Sequence, residues 1–228
     1  MKKLVVLTGA GVSAESGVKT FRDDNGLWEG HDVIEVATPE GFASNPQLVL
    51  DFYNQRRRQL KNVKPNLAHQ LLADLEKHFK VEIVTQNVDD LHERAGSSNV
   101  THLHGELMKV RSIANENLVI DWDKELNLGD LAPDGNQLRP FVVWFGEAVP
   151  MMEKAMQIVS QADILLIIGT SMQVYPAAGL IDFISQETPI YFIDPNPSIS
   201  KQNNLTILEK NASTGMQELQ KHLINTYL

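Results

Sequence analysis

The sequence predicts an α/β protein built on a doubly wound parallel sheet with a small inserted lobe, and three observations carry this. Five short β-branched runs, LVVLTGAG, VEIVTQN, FVVWFGE, ILLIIGTS and IYFIDPN, each end in turn or polar residues. Continuous apolar runs of this kind suit strands buried on both faces, here read as parallel strands. Helical patterns separate several of them, in PQLVLDFYNQRRRQL, PNLAHQLLADLEKHF, MMEKAMQIVSQA and PAAGLIDFISQ. That alternation puts function on loops at the carboxyl ends of the strands. Two segments break it: residues 29–79 hold two consecutive helical patterns without a strand, and residues 106–139 are polar and irregular. The expectation is one unit over 1–228, its sheet part at about 1–28, 80–105 and 140–228, its small lobe at about 29–79 and 106–139.

The 228 residues, 43% hydrophobic, suffice for one large core with an appended lobe. With 29 acidic against 20 basic residues and a net charge of -9, the chain has no general attraction to phosphate backbones or anionic membranes. No direct nucleic-acid or membrane partner is expected. The absence of cysteine excludes disulfides, thiolate nucleophiles and sulfur-ligated zinc, so catalysis must use oxygen or nitrogen groups. The opening MKKLVVLTGAG has a basic pair, but its apolar run stops at Leu7, too short for a secretory core. No stretch approaches the ~20 apolar residues of a membrane span, and a cytoplasmic protein is expected.

The first strand runs into LTGAGVSAESG, where Gly9, Gly11 and Ala14 show the G-x-G-x-x-A spacing of dinucleotide phosphate loops. Glycines there let backbone N–H groups approach a pyrophosphate, although a tight structural turn has the same spacing. A nicotinamide dehydrogenase would continue with a helix, a second strand and a ribose-binding acid about 20 residues on. This chain instead continues VKTFRDDNGLWEG, a loop over Asp23 to Gly26 flanked by Phe21, Arg22 and Trp28. Hydride-transfer handling of a dinucleotide is not expected.

In NPQLVLDFYNQRRRQL, Asn45 can cap a helix that begins at Pro46. Successive residues turn by about 100°, so Arg56, Arg57 and Arg58 cannot share a face. Arg56 lies three residues after Tyr53 and Arg57 four, and Arg56 is taken as the partner, with Arg57 and Arg58 solvated. Next, VEIVTQNVDDLH places Gln86, Asn87 and Asp89 at the mouth of the sheet. In VTHLHGE, strand alternation sends His102 and His104 to one face; His104, before a glycine at a strand end, is the candidate base, and His102 is read as structural. A rival reading gathers Asp89, His92, His102 and His104 around a metal, as in a metallohydrolase. It leaves the glycine loop and the GTS after the fourth strand unexplained.

Assembled, GAGVSAESGVKTFR, TQNVDDLH, HLHG, VVWFGE and GTSMQVYPA, spanning Gly9 to Ala177, resemble the sirtuins, NAD-dependent protein lysine deacylases with a Rossmann-like sheet. The resemblance implies that Gly9, Ala10, Gly11, Ser13 and Glu15 form the phosphate loop, and that Phe21, Arg22 and Trp28 belong to a loop closing over the nicotinamide-ribose. It implies that Gln86, Asn87 and Asp89 line the nicotinamide pocket and that His104 is the proton acceptor. Gly169, Thr170 and Ser171 would hold the adenosine side, with Asp194 and Asn196 at the ribose and Ala212 near the adenine; the family usually has Asn where Asp194 stands. Acylated-lysine proteins are the implied partners, NAD is consumed, and the implied products are free lysine, nicotinamide and O-acyl-ADP-ribose. ADP-ribosyl transfer or NAD hydrolysis is the alternative use of the same chemistry, and a non-enzymatic NAD sensor a third.

The resemblance further implies that Val143, Trp144, Phe145, Gly146 and Glu147 pair with the substrate peptide as an added strand. Trp144 and Phe145, being adjacent, face opposite sides, so one of them lines the acyl-lysine tunnel. Most sirtuins carry a four-cysteine zinc module where this chain has the cysteine-free residues 105–140. No structural zinc is expected in this remnant, which Ile113, Leu118, Ile120 and Trp122 would hold. Lys19 replaces a usual proline. Finally, Tyr53 and Arg56 resemble the Tyr-x-x-Arg pair of the desuccinylase and demalonylase class. A guanidinium binds a carboxylate through two parallel hydrogen bonds and a tyrosine hydroxyl adds a third, which suits succinyl or malonyl and does nothing for acetyl.

Overall fold

The computed structural model describes residues 1–18, 27–28, 30–197 and 203–228, with Leu27 and Trp28 as backbone only. Strand β1 (Lys3–Thr8) leads into a one-turn helix α1 (Gly11–Ala14); short strands β2 (Leu27–Trp28) and β3 (His31–Asp32) precede α2 (Val33–Val36), α3 (Pro39–Ser44), α4 (Pro46–Asn62) and α5 (Leu67–Asp74). Then come β4 (Lys80–Thr85), α6 (Leu91–Ala95), β5 (Val100–His102), β6 (Gly105–Ser112), β7 (Val119–Asp121) and β8 (Leu138–Val142). The chain closes with α7 (Met152–Ser160), β9 (Ile164–Ile168), a 3-10 segment (Ala177–Phe183), β10 (Ile190–Ile193), β11 (Leu205–Leu208) and α8 (Ala212–Tyr227).

The central sheet is parallel in the order β11-β10-β9-β1-β4-β5. Its apolar strands are covered on both faces. Leu4 and Val6 pack with Leu72 of α5 and Met216 and Leu219 of α8, while Val5 and Leu7 pack with Ala155 and Val159 of α7 and Leu180 of the 3-10 segment. Each such side chain contributes roughly 1.5–3 kcal/mol on burial. From β1 the chain continues to β4 on one side and later reaches β9 on the other, so the order reverses at β1 and opens a crevice beyond its carboxyl end.

The small lobe has an antiparallel sheet in the order β7-β6-β8. FVVWFGE, read as a buried parallel strand, is instead the end of β8 followed by a turn, because Leu138–Val142 pairs antiparallel with β6. The lobe's core is Leu50, Val110, Leu126, Ala132 and Leu138, with Leu118, Ile120 and Trp122 packed around it. Ile113, expected among these, is 49% exposed.

Asn45 and Pro46 start α4 as anticipated, the Asn45 side chain accepting the Leu48 N–H at 3.1 Å. PAAGLIDFISQ forms a 3-10 segment rather than an α-helix. Strand β11 and helix α8 have no counterpart among the patterns picked from the sequence.

Candidate active site

The crevice is built where the loops after β1 and β9 interlock. Gly11 donates to the Gly169 carbonyl at 2.8 Å and Gly9 to that of Ile168 at 3.3 Å. A Cβ on Gly11 would stand 2.8 Å from Gly169 Cα, and one on Gly169, at φ +65, only 2.1 Å from the Val12 nitrogen. These glycines therefore let backbone approach backbone, and the N–H groups of Gly9 and Gly11 are already taken. Ala10 precedes α1 without a side-chain cap.

Behind this loop lies a buried polar network. The Ser13 hydroxyl donates to Asp89 Oδ2 at 3.0 Å and receives Asn87 Nδ2 at 3.2 Å. His69 Nδ1 accepts the Asn66 N–H, which puts the ring proton on Nε2, 3.4 Å from Ser13 Oγ. One donor and two acceptor positions on the hydroxyl are thus filled. Asp89 also accepts the Leu91 N–H, and burial pushes its carboxyl up despite these bonds and the His102 charge.

Gln86 spans the crevice, its Nε2 3.2 Å from Thr170 Oγ1. The Gln86 carbonyl takes His104 Nδ1 at 3.0 Å, so Nδ1 carries the proton and Nε2 the lone pair. Burial holds His104 below the ordinary histidine range, only partly opposed by that carbonyl. On the far side, Ser171 is buried, and Asp194, just past β10, accepts the Asn196 N–H at 2.8 Å. Glu15 accepts the Ser213 N–H at 2.8 Å, beside buried Ala212, which ties the first loop to the start of α8. Phe21 and Arg22 lie outside the described residues, and Trp28 is described only as backbone.

The metal reading fails on geometry. Asp89 faces Ser13, His92 Nε2 faces Thr8 Oγ1 at 3.1 Å, His102 bridges the Asn87 carbonyl and Glu93, and His104 faces Gln86. Among the described residues no three such groups converge. Thr8 and Thr85, whose hydroxyls meet at 2.7 Å, were not picked out in the sequence. The available signal was a polar residue closing each of two adjacent apolar strands.

A second cluster joins α4 to the turn after β8. Tyr53 is fully buried and Arg56 is 7% exposed, on one face of α4. Trp144 Nε1 donates to the Tyr53 oxygen at 2.9 Å, and the Arg56 guanidinium lies 5.8 Å from the Phe52 ring centroid. Arg57 is not solvated: it is 2% exposed, and its Nε and Nη1 reach the Leu107 carbonyl and Asn54 Oδ1 at 3.0 and 2.7 Å. Burial lowers its pKa to about 10. Arg58 is exposed and pairs with Glu125.

Trp144 points inward at 2% exposure and Phe145 outward at 50%. Glu147 faces the protein, bound by Arg139 at 2.6 and 3.0 Å, by Arg111 at 3.2 Å and by the Trp144 N–H at 2.8 Å. The Arg139 guanidinium stacks 3.3 Å from the Trp144 ring centroid. Residues 143–147 are not a strand: the N–H groups of Val143, Phe145 and Glu147 go to the carbonyls of His104, Ala37 and Trp144, and Gly146 turns the chain at φ +88. Main-chain donors for a peptide do not come from Val143, Trp144, Phe145 or Glu147.

The Sir2 family model matches residues 9–176, the stretch that supplies the glycine loop, Gln86, Asn87, Asp89, His104 and the 143–147 turn. The chain belongs to the Sir2 family. It is 60% identical over 225 residues to an NAD-dependent protein deacylase of Helicobacter pylori (strain ATCC 700392 / 26695), covering 98% of each chain. An NAD-dependent protein deacylase of Bacteroides thetaiotaomicron is 54% identical over 231 residues, covering 98% of this chain and 99% of that one. Among solved structures, a Sir2 homolog–NAD complex superposes with a TM-score of 0.87 at 41% identity, over 98% of this chain and 90% of that one. Sir2 bound to acetylated peptide gives 0.80 at 27% identity, over 96% and 92%. Sir2 membership accounts for a glycine loop with no dehydrogenase-type acid after it.

Proposed function

We propose that this Sir2-family enzyme uses NAD to remove acyl groups from protein lysines, preferring short acyl chains that end in a carboxylate, such as succinyl or malonyl. The crevice at β1 and β9 fits a dinucleotide: close backbone packing at Gly11 and Gly169 keeps the floor thin, and Gln86, Asn87 and Asp89 converge from one strand end. NAD supplies the sugar that receives the acyl group and nicotinamide as the leaving group. Asn87 and Asp89 hold the nicotinamide side. His104, neutral with its Nε2 lone pair available, takes a proton from a ribose hydroxyl.

The acyl preference rests on Tyr53 and Arg56, one helical turn apart and both buried, with the Trp144 N–H on the Tyr53 oxygen at 2.9 Å and Phe52 near the Arg56 guanidinium. Burial raises Tyr53 well above an ordinary tyrosine, so its hydroxyl proton stays in place at working pH. A buried guanidinium and phenol on one helical face discriminate for a carboxylate and leave acetyl indifferent.

Acyl peptides assayed side by side, with and without NAD, test the reading. Charge-assisted bonds contribute about 1.5–3 kcal/mol, so Arg56→Met should cut kcat/KM on succinyl peptide roughly 10- to 100-fold and acetyl peptide far less. Equal losses would reduce Arg56 to a packing residue, and turnover indifferent to NAD would sink the whole reading. Label from NAD appearing on protein instead of on O-acyl-ADP-ribose would favour ADP-ribosyl transfer.

A further inference from the structure

Three histidines around the crevice carry three different proton arrangements. His104 has a single acceptor on Nδ1, and His69 accepts on Nδ1. His102 differs from both. Its Nδ1 lies 2.8 Å from the Asn87 carbonyl and its Nε2 2.8 Å from Glu93 Oε1, and neither partner has a hydrogen to give. A neutral imidazole has one N–H, so both bonds together require the imidazolium.

We infer that His102 and Glu93 form a positioning pair for the nicotinamide side of the site, in which a charged His102 fixes the Asn87 carbonyl and thereby the peptide that carries Asn87 and Gln86. The inference rests on the functional reading of Asn87 and His104 above. The dipeptide is held at every main-chain polar group. Gln86 N–H goes to the Thr8 carbonyl, Asn87 N–H to Thr85 Oγ1, the Gln86 carbonyl to His104 and the Asn87 carbonyl to His102. Two histidines two residues apart thus clamp two successive carbonyls. Loosening the second tilts the peptide that orients the base and the Asn87 amide on Ser13.

The charges facing His102 come from several elements. Glu93 projects from α6 and Glu106 from β6, with Lys109 on Glu106 at 2.9 Å, while buried Asp89 and His92 feel the His102 charge. Burial pulls His102 down, but Glu93, the Asn87 carbonyl and Glu106 outweigh it and leave it above 6.5. The clamp is complete below that ordinary value. As pH rises through the raised value the ring keeps one N–H, which the Glu93 carboxylate holds as the stronger acceptor, and the Asn87 carbonyl loses its donor.

A purely structural ion pair, with Glu93 42% exposed, would change stability modestly and leave the pH profile of kcat/KM alone. The test follows kcat, KM for NAD and thermal midpoint across pH for the wild type, E93Q, H102N and H102L. Asparagine can place an N–H where Nδ1 stands, without titrating. The wild type should lose kcat/KM on the alkaline side, and E93Q, whose amide can donate to a neutral Nε2 and leave Nδ1–H on Asn87, should flatten that limb. H102N should abolish the limb and stay within about threefold of the wild type at neutral pH, while H102L falls roughly tenfold or more at every pH with its fold intact. An unchanged H102L, or one alkaline limb shared by the wild type, E93Q and H102N, overturns the inference. NAD-dependent turnover in the wild type with indifferent variants leaves the deacylase reading standing. Independently of turnover, long-range nitrogen–proton NMR of the free protein should show both His102 nitrogens protonated at neutral pH, and a neutral ring there overturns the inference.

Discussion

His104 donates from Nδ1 and is basic at Nε2, and burial keeps that lone pair unprotonated to lower pH than in an ordinary histidine. Its pKa in the folded chain lies below the unfolded value of 6.5, so the base is lost only as pH falls through the depressed value. The acid limb of kcat/KM for NAD should therefore sit below the ordinary histidine range, and a limb at or above 6.5 would assign it to another group. Replacing His104 by alanine should abolish turnover with the thermal midpoint close to wild type. At this scale the sequence was informative where a local period decides the outcome. Helical geometry separated Arg56 from Arg58 correctly, since three residues on from Tyr53 is one turn. It failed for Arg57, whose partners include a carbonyl of β6 supplied 50 residues later.

Among the elements, side-chain hydrogen bonds tie α4 to the small lobe. Asn54 acts as a surrogate main-chain unit: its Oδ1 accepts the Leu126 N–H at 2.8 Å and its Nδ2 donates to the Leu126 carbonyl at 2.9 Å, with Arg57 against the same Oδ1. Asn54→Ala removes these bonds and strands Arg57 Nη1 and the Leu126 groups in the interior. A loss of roughly 3 kcal/mol is expected, read as a lower denaturant midpoint. Gly169→Ala should do at least as much harm, because its Cβ would stand 2.1 Å from the Val12 nitrogen at φ +65. Apolar runs made the central strands legible. They misassigned FVVWFGE, of which only Phe141 and Val142 lie in a strand, since an apolar run is equally at home in either sheet and only its antiparallel partner β6 decides.

Across the whole molecule, the doubly wound order was readable from alternation, while the reversal at β1 was not, because strand order lies in pairings 77 and about 160 residues apart. The small lobe's apolar cluster and the Asn54 clamp predict that prolonged chelation changes neither thermal midpoint nor turnover; a fall in either would reveal a bound metal. The central place of β1 also bears on biosynthesis. β1 is made before β9, and one of its two edges waits more than 150 residues of translation for that partner. Until Gly169 has emerged, the far wall of the crevice does not exist. Between the synthesis of β4 and that of β9 the nascent chain therefore exposes an unpaired apolar edge of β1, where chaperones can engage it.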